Sequence, residues 1–190
     1  MGNFFVDGIR HITDIEGYDH MLFLLALTAP YRSKDWKTVV LLATAFTVGH
    51  SVSLFLGASD LVRFSSTVIE ALIPATIVFT CLGNLMTSAN TPSGRSMTYR
   101  YSLAAAFGLI HGMGFSSFFR MIFNEGESFV AQLFLFNLGV ECGQIVIIAI
   151  ILLVIGLFGK LLPDHRRHLS IILSVLALVV ASILLAERIL

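Results

Sequence analysis

The sequence predicts an all-α, polytopic membrane protein with six transmembrane helices and a short N-terminal interfacial segment. Only 13% of the 190 residues are charged, where a soluble domain has about 25%, and the mean hydropathy is +0.88. The apolar residues are concentrated in runs. Most of these runs are close in length to the roughly 20 residues that a helix needs to cross the hydrocarbon core. No linker divides the chain, so we predict one transmembrane domain over residues 1–190.

The apolar runs place the six spans at about residues 14–30, 36–57, 66–86, 101–121, 129–158 and 169–186. Residues 1–13 are too short and too charged to span, and we predict that they lie at the membrane interface. The first span is short of apolar residues, because the run after His20 stops at Pro30. It must therefore draw Asp19 and His20 into the membrane, where ionisable groups are costly and usually functional.

The basic residues predict how these spans are oriented. Eight of the twelve lysines and arginines lie in the loops at 30–37, 87–100 and 159–168, and the other four lie elsewhere. Cytoplasmic loops carry the excess of Lys and Arg in membrane proteins. We therefore predict a bacterial-type inner (plasma) membrane protein with both termini outside.

Six ionisable side chains share the outer half or the midplane of the predicted bundle. Neutral imidazole and carboxylate groups are ligands that divalent transition metals accept, and a divalent ion would offset the cost of burying several carboxylates. We expect these six residues to be metal ligands: Asp19, His20, His50, Glu70, His111 and Glu141. Polar neighbours are expected to orient them through hydrogen bonds: His11, Thr47, Ser51, Asn137 and Gln144. We assign no catalytic residue and no organic cofactor.

Six motifs resemble those of the HupE/UreJ family of hydrogenase and urease accessory membrane proteins. They are GIRHI at 8–12, GYDHMLFLL at 17–25, TAFTVGHS at 44–51, VIEALI at 68–73, FGLIHGMGF at 107–115 and FNLGVECGQ at 136–144. The match is closer to the second, less characterised branch of the family. Seven residues separate His11 from Asp19, and the later His-Gly motif holds one histidine, His111. The resemblance implies a multi-span nickel or cobalt permease.

Two functions from different classes fit these residues. The first is a nickel/cobalt-type metal permease or metal-delivery protein. The second is an intramembrane metal-dependent hydrolase acting on a lipid or peptide, with Glu70 or Glu141 as general base. The sequence favours transport or binding of the metal and leaves its identity open among Ni, Co and Zn. The expected partners are the metal ion and the lipid bilayer. The balanced charge predicts no nucleic-acid partner, and homo-oligomer formation stays open.

Overall fold

The computed structural model describes residues 3–15, 17–63, 65–86, 94–123, 128–162 and 165–190. Within these residues the helices are α1 (Phe4–Thr13), α2 (Asp19–Thr28), α3 (Trp36–Ala58), α4 (Ser66–Met86), α5 (Gly94–Ile122), α6 (Phe129–Leu161) and α7 (Arg166–Ile189), with one 3₁₀ turn at Ser33–Asp35. Helices α3 to α7 are each long and apolar enough to cross a bilayer. The structure confirms an all-α membrane protein with five such helices. Helix α5 begins at Gly94, so the prediction of a loop over residues 87–100 is wrong for its second half, while residues 87–93 and 124–127 lie outside the described residues.

The sixth crossing, predicted as one helix over residues 14–30, is not confirmed. In that range the helix α2 has only ten residues, which rise about 15 Å, half of the hydrocarbon core. Asp14 ends α1 in an extended conformation. Gly17 follows in the connection, where its conformational freedom disfavours helix by about 1 kcal/mol. Asp14 and Gly17 thus lie between α1 and α2, where the predicted span of residues 14–30 required a continuous helix.

Helix α1 packs along α6, so its predicted position at the membrane interface is not confirmed. The two helices run in the same direction: Phe5 lies level with Gly139, and Ile12 lies level with Gly143. Phe4 and Ile12 are buried. The apolar face of α1 is thus covered by the bundle.

Helix α2 continues in the direction of α1 and packs mainly against α4, α6 and α7. It runs antiparallel to α3 and α5, which it meets through side-chain rings. His20 lies level with His50 and His111, with ring centroids 6.3 and 5.0 Å away. One turn further along α2, Phe23 stacks on Phe46 with centroids 4.8 Å apart. Helices α1 and α2 are therefore successive segments of one path through the bundle, and the histidines lie at the break between them.

Candidate metal centre

Glycines bring α3 and α5 into backbone contact, which places two of the histidines. A Cβ added at Gly49 would lie 2.0 Å from the carbonyl oxygen of Ala105, and one added at Gly108 would lie equally close to the α3 backbone. No other residue fits at such a distance, and small residues commonly mark such close approaches between membrane helices. His50 directly follows Gly49, and His111 is three residues after Gly108. Both histidines therefore lie beside the contact between α3 and α5.

A second glycine contact joins α1 to α6. A Cβ at Gly8 would lie 2.0 Å from the carbonyl oxygen of Phe136, and a Cβ at Gly139 would lie 2.0 Å from that of Phe5. His11 is three residues after Gly8, which is about one helical turn. Close packing of α1 on α6 therefore carries His11 into the bundle.

Four imidazoles meet at the break between α1 and α2. The ring centroid of His20 lies 4.6 Å from that of His11 and 5.0 Å from that of His111, and the centroids of His11 and His50 are 5.8 Å apart. One ring nitrogen from each of His11, His20 and His50 lies within 4.8 Å of the other two. Four separate helices thus bring one imidazole each into a compact group.

Each of these rings has one buried nitrogen without a hydrogen-bond partner among the described residues. The atoms are Nε2 of His11, His20 and His50, and Nδ1 of His111. Buried polar atoms in proteins are nearly always hydrogen-bonded, so an orphaned set in one place calls for an explanation such as a bound ion.

Asp19 determines which nitrogen of His20 carries the proton. Its Oδ1 accepts a hydrogen bond from Nδ1 of His20 at 3.0 Å and another from the backbone N–H of His20 at 2.8 Å. A carboxylate only accepts hydrogen bonds, so Nδ1 is the protonated nitrogen and Nε2 of the neutral ring carries a lone pair. A carboxylate behind a histidine is the usual support of a metal-ligating imidazole.

Asn137 plays the same part for His50. The Nδ2 of Asn137 donates to the carbonyl oxygen of Leu133 at 2.8 Å, which turns its Oδ1 towards Nδ1 of His50 at 3.2 Å. Because the amide oxygen can only accept, Nδ1 of His50 must donate. The unpartnered Nε2 of His50 is therefore a lone pair as well.

Thr76 fixes the proton on His111. Its hydroxyl donates to the carbonyl oxygen of Ile73 at 2.7 Å and lies 3.1 Å from Nε2 of His111. With the hydroxyl proton on the carbonyl oxygen of Ile73, Nε2 of His111 is the donor and Nδ1 carries the lone pair. In the neutral form of each of these three imidazoles, the neighbouring group favours the tautomer that leaves a lone pair on the nitrogen without a partner.

This chemistry fits a transition-metal ion. Imidazole nitrogen suits Zn, Cu, Fe and Ni, whereas Mg and Ca prefer oxygen ligands. The support groups behind the rings (Asp19, Asn137 and Thr76) match the hydrogen bonding that metal-ligating histidines normally have. A divalent cation would satisfy several lone pairs at once, which no single side chain in the cluster does.

The structure places Glu141 beside hydroxyl groups rather than among these imidazoles. Its two carboxylate oxygens lie 2.5 Å from the hydroxyl of Thr44 and 2.6 Å from that of Thr47. Gln144 joins the same network through Thr47 at 3.0 Å. Thr47 precedes His50 by one turn of α3, so this network lies about 5 Å along the bundle from His50.

Glu70 lies in surroundings dominated by arginines. Its carboxylate accepts a hydrogen bond from Arg188 at 2.8 Å, and both side chains are about half exposed. It also lines a polar cavity of about 370 Å³ together with Arg63 and Arg120, which both bind Asp60. The hydrogen bond from Arg63 lowers the pKa of Asp60 to about 2, so Asp60 remains ionised at neutral pH. Glu70 thus belongs to a surface network of charges.

The remaining residues that we expected near the ligands divide into four groups. His11 is one of the clustered imidazoles, Asn137 orients His50, and Thr47 and Gln144 belong to the network of Glu141. The hydroxyl of Ser51 donates to the backbone carbonyl of Thr47. Sequence reasoning missed Thr76, because a lone threonine in an apolar helix gives no signal of the ring that it contacts.

Comparison with known proteins agrees with these motifs. Residues 1–188 match the family model described as HupE / UreJ protein, so the match includes all seven helices and the four clustered histidines. No curated protein and no solved structure matches the chain. The chain therefore belongs to the HupE/UreJ family.

Proposed function

We propose that this protein binds a divalent transition-metal ion through His11, His20 and His50, with His111 beside them, and carries the ion across the membrane or delivers it. The observation behind the proposal is the group of buried imidazole nitrogens without partners, three of which hold a lone pair by virtue of their neighbours. Membership of a nickel/cobalt accessory family supports the same function. Nickel, cobalt and zinc are the candidate ions.

The proposal changes the roles expected of the carboxylates. Asp19 orients His20, and His11 replaces it as a ligand. Glu141 becomes the next cation ligand inward of the cluster, since its carboxylate lies about one turn from His50. Glu70 is assigned to the outer rim of the protein, where it binds Arg188.

We infer that α1 and α2 together form the sixth crossing, interrupted near the middle of the membrane. Each has ten residues, so that the pair spans about 30 Å, the thickness of the hydrocarbon core. Irregular backbone at that depth is tolerated where it lines a protein site or a water-filled cavity. Interrupted helices that bind their ligand at the break recur among secondary transporters.

The polar face of α1 supports access to the centre through water. Asn3, Asp7 and Arg10 recur at three- to four-residue intervals, and Asp14 follows at the end of the helix. Arg10 and Asp7 form an ion pair at 4.0 Å, with 79% and 32% of their side chains exposed. Hydrocarbon would leave these charges unsolvated. We propose a water-filled groove along this face, which reaches Asp19 from the side where the positive-inside bias puts the N-terminus.

Aromatic rings close the cluster on the opposite side. Phe23 lies 5.6 Å from His111 and 4.8 Å from Phe46 between ring centroids, and Phe107 packs edge-on against Phe23. An ion leaving inward must pass these rings or move towards Glu141. The described conformation thus supports a state that is open to one side only.

The same closure favours a second candidate, an intramembrane metal-dependent hydrolase. An enzyme would use a metal centre that is permanently shut on one side, whereas a permease must open it during the cycle. In an enzyme the bound ion would supply Lewis-acid chemistry, and the imidazoles would hold it in place.

Metal content and transport test the proposal together. The full-length chain is purified and its Ni, Co, Zn, Fe and Mn contents are measured, alongside uptake of Ni²⁺, Co²⁺ and Zn²⁺ into proteoliposomes. We expect one ion per chain in wild type, loss of that ion in His20→Ala and His50→Ala, and no change in His165→Ala, which is exposed and distant in sequence.

The outcomes separate the candidates. Uptake that is lost in the two imidazole variants establishes a permease. Stoichiometric metal without uptake, together with hydrolysis of a lipid or peptide, would favour the enzyme. If wild type contains no bound metal and none of these ions stabilises it against heat, the cluster is a buried polar network and not a metal site.

A further inference from the structure

A cavity of about 240 Å³ lies between α2, α3, α4 and α5, at the end of the bundle remote from Phe4. One part of its wall is apolar and includes Phe79, Leu103 and Phe107. The other part carries the polar groups of Arg100, Tyr31, Tyr99 and Asn84. The cavity is therefore amphipathic, with its polar groups gathered near the ends of the helices.

The polar part of the wall offers hydrogen-bond donors and positive charge. Nη1 of Arg100 donates to the hydroxyl oxygen of Tyr31 at 3.4 Å, and the Tyr31 hydroxyl donates to no group among the described residues. Burial raises the pKa of Tyr31, so its hydroxyl stays protonated. No carboxylate among the described residues pairs with Arg100. This charge favours an anion and disfavours a metal cation.

The surroundings of the cavity match the position of a lipid headgroup. Arg100 lies near the start of α5, and exposed Trp36 begins α3 at the same end, as expected of an aromatic residue at the membrane interface. Phe79 lines the cavity and is 49% exposed, so the apolar wall is not sealed inside the bundle. Basic pockets between transmembrane helices at this level bind anionic headgroups in other membrane proteins.

We propose that this cavity binds an anionic phospholipid, with the phosphate at Arg100 and Tyr31 and an acyl chain against Phe79 and Leu103. Arg100 precedes His111 by eleven residues of α5, which separates the headgroup from the imidazoles by about 16 Å. The bound lipid therefore stabilises or regulates the bundle and is not a substrate of the metal centre. The proposal does not depend on the proposed metal function.

Two pairs of variants test this site. Arg100→Gln removes the charge, and Arg167→Gln removes an exposed arginine at the start of α7 as its control. Gly83→Leu fills the cavity: Gly83 lines it, and an added Cβ there meets no atom within 4 Å. Gly159→Leu is the matched control, because an added Cβ at Gly159 also meets nothing and Gly159 does not line this cavity.

Binding is measured on the full chain in an uncharged detergent, by native mass spectrometry and thermal shift. The probes are dioctanoyl-phosphatidylglycerol, dioctanoyl-phosphatidylcholine and inorganic phosphate. A charge-assisted hydrogen bond to phosphate is worth about tenfold in affinity or more. We expect phosphatidylglycerol to bind wild type, to bind Arg100→Gln at least about tenfold more weakly, to bind Gly83→Leu more weakly, and to bind both controls as it binds wild type.

Several results would overturn the proposal. Equal binding of phosphatidylcholine would show that the negative charge of the headgroup is not recognised. Unchanged binding of phosphatidylglycerol to Arg100→Gln would show that Arg100 does not contact the phosphate. Displacement of phosphatidylglycerol by millimolar inorganic phosphate would show a free-anion site in place of a lipid site. If Arg100→Gln does not fold, the comparison of Gly83→Leu with Gly159→Leu decides, and equal binding by these two variants refutes the site.

Discussion

Replacing Asn137 by Leu tests the reasoning that the imidazole tautomers are set for metal binding. The substitution removes the oxygen that accepts from Nδ1 of His50 at 3.2 Å and leaves every ligand atom in place. His50 can then move its proton to Nε2, which removes the lone pair from the nitrogen that faces the cluster. The ligand is present in both proteins, and only its orientation and proton position differ.

The expected magnitude follows from the role of such a contact. Hydrogen-bond partners behind metal-ligating histidines contribute about 10- to 100-fold to metal affinity. This range corresponds to about 1.4 to 2.7 kcal/mol of binding free energy. Asn137→Asp keeps an acceptor at the same position, so we expect it to retain affinity and to gain more thermal stability from metal than wild type does, because the metal offsets a buried carboxylate.

Affinity is measured by competition with a chelator for Ni²⁺, Co²⁺ and Zn²⁺ on each purified variant. Ser51→Ala is the control, since the hydroxyl of Ser51 bonds to the carbonyl of Thr47 one turn away and should leave affinity unchanged. A folded Asn137→Leu protein that binds metal as tightly as wild type would refute the tautomer argument.

Three further predictions test the packing, the groove and the chemistry of the site. Gly49→Ala should lower the melting temperature, because its Cβ would lie 2.0 Å from a backbone oxygen and overpacking costs about 1–3 kcal/mol or more, whereas Gly159→Ala should change little. Arg10→Cys should react with a membrane-impermeant thiol reagent. Val146→Cys, at similar depth on the apolar outer face of α6, should not react. Equal labelling of the two variants would show that the proposed water-filled groove does not exist. Metal affinity measured across pH should fall as acid protonates the imidazoles, since the ligands must be neutral; affinity independent of pH would exclude them as ligands.

The orientation of the chain remains a prediction from its basic residues. A reporter fused after Leu190 should be active only outside the cytoplasm. Activity confined to the cytoplasm would reverse the sidedness of the proposed groove and of the lipid cavity without altering either site.

Much of the architecture could be read from composition and apolar runs, because a bilayer imposes a length on each spanning helix. The helices α3, α4, α6 and α7 begin within three residues of the predicted spans, whereas α5 begins at Gly94, seven residues before the span predicted at 101–121. The predicted spans also placed His50 about two turns in from the outer end of its helix and His111 near the middle of its own. The depth of His20 was predicted from a further observation. The apolar run that follows His20 is too short to cross the membrane unless the helix includes His20.

The sequence underestimated His11, which we expected only to support the ligands. Its placement depends on the contact of Gly8 and Gly139 across α1 and α6, two glycines that are 131 residues apart in the chain. No local pattern around His11 indicates that its helix enters the bundle. A charged amphipathic segment of ten residues is equally suited to the membrane surface.

By itself, the sequence determined the class of protein and the presence of the five long apolar helices α3 to α7, and it predicted the depth of the ionisable residues along them. Only the tertiary structure decided which of those residues meet, because depth follows from the count of residues along a helix whereas direction around the axis depends on packing. Glu70 and Glu141 were predicted to share the depth of the imidazoles, yet one bonds to Arg188 and the other to Thr44 and Thr47. The contacts of Asp19, Asn137 and Thr76 with the rings also arise from packing, and they leave the lone pairs of three imidazoles without a partner.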